Sequence, residues 1–179
     1  MHRSTGLIRA ALTPLVCVAL VIPASTTSVS AASVPTKVTR SGDTTLSVKP
    51  TKNLTATGAR IRVRGKGFDR RIGIYVALCV TPTKGATTPP GPCGGGVNLT
   101  ASDSASAWIS SNPPPYGSSL AIPFRKRGKF SVTLTVSPKI GKIDCRNVSC
   151  SIVTRADHTK PSFRGADLYI PVSFTSINR

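Results

Sequence analysis

Apolar side chains recur at every second residue in one run after another, and that period admits strands and little else. Leu46 and Val48 alternate with Thr45, Ser47 and Lys49, until Pro50 stops the run. Ile61 and Val63 alternate with Arg60, Arg62 and Arg64, ending at Gly65-Lys66-Gly67. Ile74, Val76, Leu78 and Val80 alternate with Tyr75, Ala77 and Cys79. Phe130 to Val136, Ile152 to Thr154 and Leu168 to Phe174 repeat the pattern. Turn clusters separate the runs, so they read as an antiparallel sandwich with one buried face per sheet. Pro171 has no amide donor and places its strand at an edge or a bulge. Composition agrees: all 6 acidic residues are Asp, with no Glu and no Gln, so the usual helix-surface residues are missing. The chain is expected to be all-β.

The first 31 residues read as a signal peptide. Arg3 and Arg9 precede an apolar stretch from Ala10 to Pro23, too short to span a bilayer. Val29-Ser30-Ala31 then places cleavage after Ala31 or Ala32. Residues 32–43 lack apolar periodicity and read as a flexible basic N-terminal arm, and 44–176 as the folded domain. No transmembrane segment is expected, and the product is secreted, with retention at the cell surface as a variant of that reading. Cys17 leaves with the leader, and Cys79, Cys93, Cys145 and Cys150 remain. An even set in an exported domain implies two disulfides. Of three pairings, the local one, Cys79–Cys93 with Cys145–Cys150, is favoured. Losing Arg3 and Arg9 turns a formal net charge of +18 into +16.

Two segments interrupt the alternation. Thr81 to Gly96 is a Pro/Gly loop, and Ala105 to Gly117 carries the single Trp, Trp108, with Pro113-Pro114-Pro115 and Tyr116. Proline lowers the entropy cost of fixing such a loop. The second loop reads equally as a binding element and as a cover for one end of the core.

The order of these pieces is informative. VRGKGF at Val63 to Phe68, YVALC ending at Cys79, a second Cys after a loop, FSVTLTV, DCRNVSC at Asp144 to Cys150 and PVSF at Pro171 to Phe174 follow one another. The set resembles the neocarzinostatin, macromomycin and actinoxanthin apoprotein family, secreted by actinomycetes. The likeness covers Thr44 to Phe174 and implies a seven-stranded immunoglobulin-like antiparallel β-sandwich. In that family a small antibiotic chromophore sits non-covalently in a cleft beside the sandwich, and the chromophore, not the protein, damages DNA. The resemblance therefore implies a ligand site of Tyr75, Ala77, Cys79, Cys93, Ser151, Val153 and Arg155, and the longer loop of this chain offers Trp108 and Tyr116 as a candidate cover. Departures from the family pattern point to a different ligand. Ser151 replaces a Gln, Val153 a Gly and Arg155 a small Ser, and Arg155 favours an anionic group. SAWISSNPPPYG, DCRNVSC and TRADHT also resemble neocarzinostatin-like modules of other actinobacterial exported proteins, some beside haem-uptake domains.

Catalysis has little to work with. After the leader only His158 remains, next to Asp157, and no nucleophile-elbow motif accompanies it. An Asp-His pair of that kind reads as a turn cap. No metal site and no cofactor are expected, since one His and scattered Asp residues do not make a ligand set. Haem ligation by His158 with Tyr116 or Tyr169 is a minor alternative. The charge is the other resource. Arg60, Arg62 and Arg64 share a strand face, and Arg125, Lys126 and Arg127 form a second basic knot. Such groups hold polyanions, either an envelope polymer or DNA, by counterion release and without sequence readout. The expectation is a monomeric, non-enzymatic, exported binding protein for a small apolar ligand. The competing reading is a basic cell-surface module for a polyanion or a protein partner.

Overall fold

A computed structural model describes residues 35–83, 87–95 and 105–176. The leader at 1–31 lies outside the described residues, as do the last three.

Ten strands run through the described residues. They are β1 (Lys37–Ser41), β2 (Thr44–Lys49), β3 (Ala59–Lys66), β4 (Ile74–Val80), β5 (Ser106–Ile109), β6 (Phe130–Val136), β7 (Lys139–Ile140), β8 (Ile143–Asp144), β9 (Cys150–Ala156) and β10 (Leu168–Val172). A short 3₁₀ turn at Pro115–Gly117 is the one helical piece among them. Two four-stranded antiparallel sheets, in the orders β1-β2-β3-β6 and β10-β9-β4-β5, make the sandwich; β7 and β8 form a separate ribbon. The inner faces share one core. Leu46, Val48, Ile61, Val63 and Leu134 from the first sheet meet Ile74, Val76, Leu78, Ile152 and Ile170 from the second. Thr154 also points inward, and its hydroxyl donates to the Ala166 carbonyl at 2.7 Å, so it is buried without loss.

Every strand expected from alternation is present, and β3 and β6 show it in full, buried and exposed residues taking turns along their length. Pro171 lies in β10, an edge strand paired only with β9. Both disulfides are the local ones, Cys79–Cys93 and Cys145–Cys150.

Ten strands stand where seven were expected: β7 and β8, two residues each, are too short to show a period, and two further segments escape for other physical reasons. Residues 37–41, expected within a flexible arm, pair along their length with β2 as an edge strand. Their side chains are almost all exposed, so no apolar alternation marks them. Ser106–Ile109, expected as loop, forms β5 against β4. All four of its residues are buried, on both faces, and a strand covered on both sides shows no period of two.

Candidate functional site

Antiparallel pairing of β4 with β9 sets Tyr75 opposite Arg155, Ala77 opposite Val153 and Cys79 opposite Ser151. Opposed residues share a face, so these side chains leave the sandwich together while their neighbours enter the core. Trp108 on β5 is opposite Tyr75, and Tyr169 on β10 is opposite Val153, extending the same outer face.

A cleft of about 430 Å³ lies on this face. Ala77 and Val153 form its floor and the Cys79–Cys93 bridge one wall, continued by Gly91 and Pro92. Tyr75, Arg155, His158 and Pro161 stand at the other side. The lining is predominantly apolar, with the polar groups gathered on one border, a common form of small-molecule site. Arg155 is half-buried and donates from Nη1 to the Pro90 carbonyl at 3.1 Å. Its Nε–H is buried with no acceptor among the described residues. Burial pushes the Tyr75 hydroxyl up to about 12, so it stays a neutral phenol at physiological pH.

Not all of the expected ligand residues meet there. Tyr75, Ala77, Cys79, Cys93, Val153 and Arg155 line one cleft. Ser151 does not, because it is fully buried and its hydroxyl bonds the Thr81 hydroxyl at 2.8 Å. Trp108 does not either. It is 2 % exposed, since the 113–117 segment lies over its ring. A Cβ on Gly117 would come within 2.3 Å of the indole, so glycine is what lets the backbone lie so close. Tyr116 is 60 % exposed and stands outside the cleft lining, over His158.

The arrangement that sequence reasoning missed is centred on His158. Its Nδ1 bonds the Tyr75 hydroxyl and its Nε2 the Tyr116 hydroxyl at 2.5 Å. A neutral imidazole has one N–H and one acceptor nitrogen, so it serves one phenol in each role. Asp157 does act as a turn cap: Oδ1 accepts from the Thr159 amide at 2.9 Å and the Thr159 hydroxyl at 2.6 Å. Its Oδ2 accepts from Trp108 Nε1–H at 2.8 Å. The carboxylate therefore orients an indole, not the histidine, and both ring nitrogens of His158 are taken by phenols. That is not the geometry of a nucleophile-activating base. The partners lie 83 and 42 residues away from His158, so no local motif announces them. Among the described residues, no three of His, Cys and Asp converge as a metal site would require.

The opposite outer face, on the first sheet, is basic. Arg60, Arg62 and Arg64 are exposed on β3; Arg62 is opposite Lys49 and Thr133, and Arg64 is opposite Ser47 and Ser131. Arg40, Thr45 and Lys66 follow in register across β1, β2 and β3. Two shallow hollows of about 460 and 380 Å³ run along it, the second reaching Arg125 and Lys129. Lys126 and Arg127, expected with this group, are exposed at the hairpin tip between Arg125 and Lys129 and line neither hollow. None of the four ion pairs among the described residues involves a cation of this face.

The structure of macromomycin aligns with 79 % of this chain and 100 % of its own, at 18 % identity and a TM-score of 0.46. No protein-family model matches the chain, and no curated protein does.

Proposed function

We propose that the protein is a non-enzymatic carrier that holds a small ligand, with a flat apolar body and an anionic end, in the cleft of the β4–β9 face. One observation carries this reading. A predominantly apolar cleft of about 430 Å³ is bordered by Arg155, a cation whose Nε–H finds no acceptor among the described residues. A buried donor left unmade costs about 1–3 kcal/mol, and an anionic group reaching Arg155 recovers that cost. The apolar body fills the space over Ala77 and Val153, while Tyr75 and His158 offer hydrogen bonds beside it. The family resemblance of the sequence supports a carrier of this kind, and Val153 and Arg155 give it a ligand of its own. Two disulfides and the signal-like leader support a place outside the reducing cytoplasm. No helix among the described residues is long and apolar enough to cross a membrane.

Titration with 1-anilinonaphthalene-8-sulfonate, an apolar aromatic anion, tests this. Wild type is expected to bind it at one saturable site. Arg155→Ala weakens binding by about tenfold, the worth of one charge-assisted hydrogen bond, and Ala77→Trp, which fills the floor, abolishes it. Circular dichroism confirms that both variants remain folded. Undiminished dye binding by folded Ala77→Trp removes the cleft from the function.

A further inference from the structure

The first sheet turns outward a surface that the cleft does not use. Six cations, Arg40, Lys49, Arg60, Arg62, Arg64 and Lys66, project from three adjacent strands, and none is in an ion pair among the described residues. Between them stand hydroxyls from the serines and threonines of β2 and β6, with the exposed Val38 of β1 opposite Ser47 in the same register. An acid-free array of this size exceeds what keeping an edge strand solvated requires, for Arg60, Arg62 and Arg64 lie on β3, an interior strand of its sheet.

We infer that this face binds an extended, base-free phosphodiester chain of the poly(glycerol phosphate) type, independently of the cleft. Three features select that chemistry. Alternate residues on β3 stand about 6.7 Å apart from the strand rise. That is the repeat of an extended phosphodiester with a short carbon spacer, and longer than that of an inorganic phosphoanhydride chain. No aromatic side chain stands in the register of this face, so nucleobases find no stacking platform. None of the six cations is carried by a helix or ribbon that could enter a duplex groove, which disfavours double-stranded DNA. The serine and threonine hydroxyls suit the phosphate oxygens and polyol hydroxyls of such a polymer.

Fluorescence anisotropy with labelled poly(glycerol phosphate), at a series of salt concentrations, tests the inference on the full folded protein. Each phosphate contact on a single chain adds about 0.7 to the slope of log affinity against log salt. Arg60→Gln/Arg62→Gln/Arg64→Gln is expected to flatten that slope by about 2 and to weaken binding by at least about tenfold near physiological salt. A variant losing the same number of charges elsewhere, Arg70→Gln/Lys142→Gln/Lys160→Gln, keeps the wild-type slope. Unchanged Trp108 emission shows that both retain the fold. Equal weakening by the two variants overturns the inference, since total charge alone then explains binding. So does tighter binding, at equal phosphate concentration, to single-stranded DNA, to inorganic polyphosphate or to phosphatidylglycerol vesicles.

Discussion

Asp157 joins three pieces of chain through one side chain. It is 1 % exposed, caps the turn at Thr159 and satisfies the indole N–H of Trp108, 49 residues away. Gly73 completes the fit, since a Cβ there would lie 1.9 Å from Asp157 Oδ2. Asp157→Ala leaves a buried indole donor and a turn amide without acceptors, and is expected to cost about 2–3 kcal/mol in urea denaturation. Asp157→Asn retains one carbonyl acceptor and should cost less. A negligible loss in the alanine variant would mean that water replaces the carboxylate. The sequence made only half of this residue legible. An Asp-His pair at a strand end signals a turn cap by local chemistry, whereas the bond to Trp108 depends on β4 and β5 pairing across a long connection. The Tyr75–His158–Tyr116 contacts were hidden for the same reason.

Short elements carry much of the acid sensitivity. On the β7–β8 ribbon Asp144 is opposite Lys139, and its carboxylate accepts from Lys139 Nζ at 3.1 Å and from Arg146 Nε at 2.9 Å. The Arg146 side chain, then its backbone amide, hold the Asp144 carboxyl well below the usual carboxylate range. At Asp69 the Arg71 side chain does the same, lowering that carboxyl to about 2. A carboxyl more acidic in the folded than in the unfolded chain stabilises above the unfolded value, about 3.9, and loses that contribution as pH falls below it. The melting temperature should therefore drop between about pH 5 and pH 2. Asp144→Asn should begin lower at pH 5 and drop less over the same range, as read from thermal melts by circular dichroism. An identical slope in the variant would put the acid sensitivity elsewhere. At this scale, alternation revealed each strand with one face in the core. It failed where the physics of alternation fails: at β1, exposed nearly throughout, at β5, covered on both sides, and at β7 and β8, two residues each.

For the whole molecule the sandwich separates two surfaces. The cleft is on the outer face of β4 and β9, the cations on the outer face of β2 and β3, and the shared core lies between. Sites without common side chains combine additively. Saturating poly(glycerol phosphate) is thus expected to leave the affinity for 1-anilinonaphthalene-8-sulfonate within about twofold in a competition titration. A larger shift would show that the sheets transmit strain or that the polymer reaches the cleft. The sandwich itself was legible because its core is written as alternation; the cleft was legible only in its strand-borne residues. Its far border, His158 and Pro161, comes from the loop after β9, whose path no periodicity records. Arg40, Lys49, Arg60, Arg62, Arg64 and Lys66 all share the outer face of one sheet, which concentrates positive charge there. Near a negatively charged surface that face is attracted before any contact forms, within about a Debye length, roughly 8 Å in physiological salt. On the inference that this face holds a polyanion, the protein is expected to arrive with the sheet of β3 leading and the β4–β9 cleft trailing.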